Sequence, residues 1–141
     1  MAQFQFRLAR VSRVKELLEE QAKNLWVAAH NQVLAEQGYL QELEQKKQSV
    51  LTYGYSQMDI SIRTAMYQYL QRIDAQLIEQ AHTVASAEET EVEARSNWTL
   101  AKQENEILAK LEEKEKELFT VEELQKAQNL IDELRNSSPK I

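Results

Sequence analysis

The chain has no cysteine, and only 2 glycines and 1 proline occur among its 141 residues. Without cysteine it can form no disulfide, has no thiol nucleophile and cannot bind a metal through thiolates. Average usage would supply about ten glycines and seven prolines in this length. A β-sandwich, a doubly wound sheet and a P-loop fold all need many tight turns, so the composition argues against all three. It favours a few long helices.

Long hydrophobic runs are also missing. No apolar stretch approaches the ~20 residues that span a bilayer, and the N-terminal residues lack a signal-peptide pattern. We therefore expect a cytosolic protein. Hydrophobic residues make up 43% of the chain, charged residues 28%, and the mean hydropathy is −0.60. Long helices that bury a narrow apolar strip fit this balance better than a thick globular core.

Recognisable catalytic and metal-binding patterns are absent from the sequence. His30 and His82 are the only histidines. Neither is followed three or four residues later by a second ligand that would complete a metal site, so both are interpreted as ordinary residues of the helix surface. The paired glutamates, such as Glu88-Glu89, are interpreted as a solvated helix face, because catalytic carboxylate pairs need an enclosed environment. No phosphate-binding loop, dinucleotide fingerprint, zinc-protease or nucleophile-elbow motif occurs. We expect no enzymatic activity, no cofactor and no metal site.

Charge is distributed unevenly along the chain. The balance is 17 basic to 23 acidic residues, a net charge of −6, which does not indicate a nucleic-acid partner. Residues 1–15 carry four basic residues and no acid, whereas residues 88–123 carry twelve glutamates and five basic residues. The two regions have opposite charge, so we expect them to lie side by side.

Apolar residues three or four positions apart predict two helices. In the first, over residues 7–52, Glu36 and Lys47 complete the spacing, and a stutter is expected at Leu25, Ala29 and Val33. The apolar positions of this helix are Leu8, Val11, Leu18, Ala22, Leu25, Ala29, Val33, Leu40, Leu43 and Val50. Those of the second, over residues 60–136, are Ile62, Met66, Leu70, Ile73, Leu77, Val84, Ala87, Ala94, Trp98, Ala101, Leu108, Leu111, Leu118, Val121, Leu124, Ile131 and Leu134.

A turn is predicted over residues 53–59, at Gly54, with Ser56 or Asp59 capping the second helix. The predicted fold is all-α, an antiparallel two-helix coiled-coil hairpin with a longer C-terminal helix, forming one domain over residues 1–141. Folding about the turn pairs positions whose numbers sum to about 112–120. Trp26 should then face residues 86–94, with Trp98 about one heptad beyond, and residues 7–15 should lie opposite 97–113.

Aromatic residues are concentrated in two places. We expect Trp26 and Trp98 to fill the strip between the helices. All five tyrosines lie within about 20 residues of the turn, where they either form an interface with a partner or pack the end of the hairpin, because tyrosine is enriched at protein interfaces. The tyrosines are Tyr39, Tyr53, Tyr55, Tyr67 and Tyr69.

The sequence resembles the FliJ family of flagellar type III export proteins over nearly its whole length. The resemblance rests on Phe4-x-Phe6-x-Leu8-x-x-Val11 opening a long helix, on the hairpin, on Trp98-x-x-x-Lys102, and on the late Gln125-Lys126 and Ile131-Asp132-Glu133. It implies a cytoplasmic antiparallel coiled coil similar to the gamma subunit of rotary ATPases, at the cytoplasmic face of the inner membrane. No catalytic activity is implied.

The resemblance also implies partners and the residues that bind them. They are the flagellar export ATPase ring, the cytoplasmic domain of the export gate and substrate-specific export chaperones. Membrane association is expected to be peripheral and only through the export apparatus, and the chain is expected to be a monomer. The residues implied for the ring are Arg7, Leu8, Val11, Arg13, Gln125, Lys126, Asp132 and Glu133. Those implied for the gate are Tyr39, Leu43, Lys46, Val50, Tyr69, Ile73, Gln76 and Gln80.

Two alternatives stay open at this point. One is the equivalent stalk protein of a virulence type III secretion system, which would share the fold and the mechanism. The other is a structural coiled-coil adaptor with no ATPase partner, which would form a stable dimer. The export stalk predicts instead that the two helices pair within one chain.

Overall fold

Two helices joined by a short turn make up nearly all of residues 2–137, the part of the chain that the computed structural model describes. Helix α1 spans Ala9–Tyr55 and helix α2 spans Ile60–Ser137. They run antiparallel, since contacts pair Phe4 with Phe119, Trp26 with Trp98 and Lys47 with Asp74. The structure therefore confirms the predicted all-α hairpin with a longer C-terminal helix.

The turn differs in detail from the prediction. Helix α1 continues through Gly54 to Tyr55, so this glycine lies inside the helix and none of the described glycines has a positive φ. The Oδ1 atom of Asp59 accepts a hydrogen bond from the backbone N–H of Ser61 at 2.9 Å, and Asp59 thus caps α2. Ser56 instead donates its hydroxyl to the carbonyl of Tyr53.

The chain divides into two compact units, which are described separately below. Unit 2 is Gln21–Trp98, and it contains most of the buried apolar residues. Every third or fourth residue of its helices faces the other helix, as in a coiled coil. We call these positions the helix interface. The buried apolar residues of unit 2 are Val33, Leu43, Met66, Leu70, Ile73 and Val84.

Polar residues occupy part of the helix interface in unit 2. Gln80 is buried, and its Nε2 donates to the backbone carbonyl of Glu36 at 3.0 Å and to the carboxylate of the same residue. Lys47 forms an ion pair of 2.7 Å with Asp74. The hydrogen bonds of Gln80 satisfy an amide that would otherwise be costly to bury, whereas the pair of Lys47 and Asp74 is partly exposed. The predicted interface positions of Glu36 and Lys47 are confirmed, since both are less exposed than their neighbours.

Unit 1 is formed by Met1–Glu20 and Thr99–Ile141. Phe6 is its buried apolar residue among those described. The facing positions of α1 in this unit are polar, namely Ser12, Lys15 and Glu19. The amide of Asn105 on α2 donates to the carbonyl of Lys15 and to the carboxylate of Glu19. Polar contacts therefore take the place that an apolar core has in unit 2.

Several residues predicted to lie between the helices are exposed instead. Leu25 is 68% exposed, and Trp26 takes its place at the helix interface. The predicted stutter was wrong, because the interface runs through Ala22, Trp26, Ala29 and Val33 at regular four- and three-residue steps. Also exposed, against prediction, are Val11, Leu18, Leu118, Val121, Leu124, Ile131 and Leu134.

The predicted register was displaced by about one to two turns. Trp26 does not face residues 86–94; its ring stacks on Trp98 with the centroids 5.2 Å apart. The numbers of residues paired across the helices sum to 116–125, and most of these sums lie above the predicted range of about 112–120. The register follows from a turn at residues 56–59 and from α1 extending to Tyr55, which moves every pairing toward higher numbers on α2.

Candidate interaction surfaces

The two tryptophans predicted to fill the helix interface do so. Besides stacking on Trp98, the ring of Trp26 stacks on His30 at 5.4 Å. The Nδ1 atom of His30 lies 2.8 Å from a carboxylate oxygen of Glu91. His30 is therefore half-buried and partnered, and the expectation of an ordinary surface histidine was wrong for it. His82 is exposed, as expected.

Side chains that could bind a metal ion do not cluster among the described residues. No group of three histidines, cysteines or carboxylates between residues 2 and 137 is arranged to hold a metal ion. No described helix is long and apolar enough to cross a bilayer. The concave regions are open grooves along the helices and not enclosed pockets. We therefore take the exposed apolar residues as the candidate contacts with a partner protein.

The first candidate surface lies around the turn, in unit 2. All five tyrosines are exposed, and so are Met58 and Ile60 in and beside the turn. We name these exposed residues the turn surface: Tyr39, Tyr53, Tyr55, Met58, Ile60, Tyr67 and Tyr69. A groove of about 370 Å³ opens between the helices here, and its lining includes Val50, Tyr53 and Tyr69. Of the two interpretations of the tyrosines, exposure favours an interface with a partner.

The residues implied for gate binding fall into two groups. Leu43 and Ile73 are each 2% exposed, and Gln80 is also buried, so these three hold the helices together. Val50 is partly buried and lines the groove with Tyr69. The exposed members are Tyr39, Lys46, Tyr69 and Gln76. A partner can touch the exposed members and Val50, whereas the buried ones can only position them.

The second candidate surface is in unit 1, where the N-terminal residues lie against α2. The ring of Phe4 contacts that of Phe119, with centroids 5.6 Å apart. Nε of Arg7 forms a 3.0 Å ion pair with Glu115, and Lys15 forms one of 2.8 Å with Glu104. The expectation that residues 7–15 lie beside the glutamate-rich segment is confirmed by these contacts.

Exposed apolar residues continue along α2 beyond this contact. Leu124, Ala127, Ile131 and Leu134 follow each other at steps of three, four and three residues, the spacing of a coiled-coil strip. We call these four residues the α2 strip. A groove of about 460 Å³ lies beside it, and Ala2, Phe119, Leu124 and Leu130 contribute to its lining. The spacing was visible in the sequence, but it was interpreted as part of the helix interface.

The residues implied for ring binding lie in unit 1: four are near the N-terminus, and four lie between the first and last residues of the α2 strip. Leu8 is half-buried, and Arg7, Val11 and Arg13 are exposed on the N-terminal side. On α2 the implied residues, all exposed, are Gln125, Lys126, Asp132 and Glu133. Two of these make contacts along α2: Lys126 lies 3.6 Å from Glu123, and Asp132 accepts from Gln128 at 3.3 Å. Sequence reasoning missed the strip as a candidate site.

Comparisons with known proteins agree with this architecture. The family model described as "Flagellar FliJ protein" matches residues 4–138. Among solved structures, a protein of Chlamydia trachomatis described as a YscO homolog has a similar fold, with a TM-score of 0.59 and 17% sequence identity, over 95% of this chain and 94% of that chain. No curated protein sequence matches the chain significantly. The family implies flagellar protein export, a form of type III secretion. Because the match spans almost the whole helical hairpin, the chain belongs to the FliJ family of flagellar proteins.

Proposed function

We propose that this chain is the stalk of a flagellar type III export apparatus and that its unit 1 binds the export ATPase ring. The observation that carries the proposal is the α2 strip, whose apolar residues have coiled-coil spacing and are exposed. The chain that bears it belongs to the FliJ family. Exposed apolar residues in such a pattern are the usual contact of a helix with a protein groove. Polar residues that flank the strip, such as Lys126 and Asp132, would orient the contact.

The N-terminal side of unit 1 supplies a second part of the proposed ring contact. Arg7, Arg10 and Arg13 are exposed here, and Arg7 lies beside Glu115 of α2. Exposed charges steer association more than they add affinity. We therefore propose that the arginines speed the association of the chain with the ring, and that the α2 strip holds the chain in the complex.

For the export gate, the proposed contact is the side of the hairpin that carries Tyr39 and Tyr69, with the groove beside Tyr69. Tyr39, Lys46, Val50, Tyr69 and Gln76 can reach a partner, while Leu43, Ile73 and Gln80 fix the helices beneath them. We also propose that the chain escorts export chaperones, works in the cytoplasm at the inner membrane and has no catalytic activity of its own. Pairing of α1 with α2 within one chain is what the stalk predicts and a two-chain adaptor does not.

Turnover of purified flagellar export ATPase, titrated with this protein, tests the proposal. Wild type is expected to stimulate turnover. The variant Leu124→Asp/Ile131→Asp should need about tenfold more protein for the same stimulation, because a carboxylate cannot enter an apolar contact without a large desolvation cost. Val92→Asp, at a residue of unit 2 that is equally exposed, is the matched control.

The result can contradict the proposal in two ways. Wild type that leaves turnover unchanged, with the ATPase active and the helices formed, would favour the adaptor. Equal stimulation by wild type and by Leu124→Asp/Ile131→Asp would show that the α2 strip is not the ring contact. Deleting residues 1–15 then asks whether the N-terminal side carries that contact instead.

A further inference from the structure

The turn exposes apolar side chains to an unusual degree for a protein with 28% charged residues. Met58 is 94% exposed and Ile60 is 80% exposed. Tyr53 and Tyr55 are exposed at the adjoining end of α1. Single exposed apolar residues are common, but a group of them at one place marks a contact with a protein or a membrane.

Charge around the turn is opposite in sign to that of the chain as a whole. Residues 46–72 contain four basic residues and one acid, whereas the rest of the chain contains thirteen basic and twenty-two acidic residues. The one acid, Asp59, is engaged in capping α2 through the N–H of Ser61. The basic residues are Lys46, Lys47, Arg63 and Arg72. Lys47 is paired with Asp74, just outside this range, so the excess positive charge lies on Lys46, Arg63 and Arg72. This region therefore suits an anionic partner.

The positions of the tyrosines favour a partner that approaches the turn end-on. Tyr53 and Tyr55 are two residues apart on α1, so they point about 200° apart around the helix axis. Tyr67 and Tyr69 have the same relation on α2. A protein that lies along one side of the hairpin would miss one tyrosine of each pair. An extended surface that meets the turn end-on can contact both Tyr53 and Tyr55, whereas Tyr67 and Tyr69 lie about 10–14 Å along α2 from its first residue.

From the turn along the two helices, apolar residues are followed by basic ones, as in a peripheral membrane contact. Apolar Met58 and Ile60 come first, and Arg63 follows about 5 Å along α2 from Ile60. Lys46 and Lys47 lie about 12–14 Å along α1 from Tyr55. Tyrosine rings are favoured at the headgroup level of a bilayer, and basic residues near its surface are attracted to anionic lipids.

We propose that the turn contacts an anionic lipid bilayer directly, with Met58 and Ile60 at the boundary between headgroups and acyl chains. Tyr53 and Tyr55 would lie among the headgroups, and Arg63 would meet the lipid phosphates. With two aliphatic side chains inserted, the binding is weak and reversible. This contact is separate from the ATPase contact proposed above and adds a direct lipid contact to membrane association through the export apparatus.

Sedimentation of the purified chain with vesicles, and without any export protein, tests the inference. Vesicles of phosphatidylglycerol and phosphatidylcholine in equal parts are compared with vesicles of phosphatidylcholine alone. We expect the chain to sediment with the anionic vesicles, and less so as salt is raised. Met58→Asp/Ile60→Asp should weaken this binding at least about tenfold. The matched control Ile78→Asp/Val92→Asp alters two exposed residues of unit 2 outside the turn and should bind as wild type does.

Three results would overturn the inference. Wild type could fail to bind the anionic vesicles, or Met58→Asp/Ile60→Asp could bind them as strongly as wild type. Alternatively, the chain could bind the isolated cytoplasmic domain of the gate through Met58 and Ile60 and show no affinity for vesicles, which would make the turn a protein contact. Circular dichroism establishes that each variant is folded. Stimulation of the ATPase is measured without lipid, so it can succeed or fail independently of this result.

Discussion

Gly54 is needed for the close approach of Met66 inside the hairpin. A Cβ atom at this position would lie 1.5 Å from Sδ of Met66, which is itself buried. A side chain there would force Met66 out of its position. The other glycine, Gly38, has no atom within 4 Å of where its Cβ would lie. The two glycines of the chain therefore have different physical roles, although both are helical.

Substituting each glycine with alanine should change stability in opposite directions. Gly54→Ala is expected to lower the free energy of unfolding by about 1 kcal/mol, because displacing the flexible end of the buried Met66 side chain costs more than the gain in helix propensity. Gly38→Ala should raise it by about 0.5–1 kcal/mol, because alanine restricts the unfolded chain and favours helix. Urea unfolding followed by circular dichroism measures both. If Gly54→Ala were as stable as Gly38→Ala, the close contact with Met66 would be disproved.

At the scale of single elements, the N-terminal arm, residues 2–8, provides much of the apolar contact of unit 1. Phe6 is buried and Phe4 contacts Phe119, whereas the residues of α1 that face α2 here, Ser12, Lys15 and Glu19, are polar. Exposed or half-exposed ion pairs stabilise little, typically up to about 1 kcal/mol each. The pairing of α1 with α2 in this unit thus depends on the arm.

Removing the Phe6 ring should open unit 1 without opening unit 2. In Phe6→Ala we expect hydrogen exchange of residues 9–20 and 99–119 to become at least about tenfold faster, since loss of a buried aromatic costs several kcal/mol. Exchange of residues 33–84 should stay as in wild type. Leu17→Ala removes an exposed side chain from the same segment of α1 and serves as the control. Equal effects in both units would mean that the arm is not a local contact.

For the molecule as a whole, the two units differ in what stabilises them. Among residues 2–137, six of the seven buried apolar residues lie in unit 2 and one lies in unit 1. Burial of apolar surface is the main source of stability, so unit 1 has the smaller share. Its long-range contacts also include ion pairs between Arg7 and Glu115 and between Lys15 and Glu104, which salt weakens.

This difference predicts that unit 1 unfolds before unit 2. Hydrogen exchange in increasing urea should show residues 9–20 and 99–119 opening at lower concentration than residues 33–84. Raising salt from about 0.05 M to about 0.5 M, where screening is several times stronger, should lower the first transition more than the second. The tryptophan stack reports on unit 2 by fluorescence, since both rings lie there. A single transition at all residues would contradict the prediction.

Much of this architecture follows from local properties of the sequence. Scarce glycine and proline favour long helices, and the three- and four-residue spacing correctly placed most of the interface residues from Val33 to Leu108. Asp59 was one of two candidate caps that the sequence offered, with Ser56, because capping depends on neighbouring residues. Gln80 follows Leu77 and precedes Val84 at the same spacing, so its burial was readable too. It was instead assigned to the gate through the resemblance to the FliJ family.

The tertiary structure decided which apolar residues are covered. Leu124, Ile131 and Leu134 have the spacing of interface residues, yet they are exposed, because periodicity shows which face of a helix is apolar and not whether another helix lies against it. Register was likewise set by the turn, whose bounds sequence patterns locate only to within a few residues. By itself the sequence determined two antiparallel helices with an apolar strip. Only the packing of the two helices determined that the apolar residues near the end of α2 remain exposed. A residue is buried only where the other helix lies against it, and one helix alone does not show this.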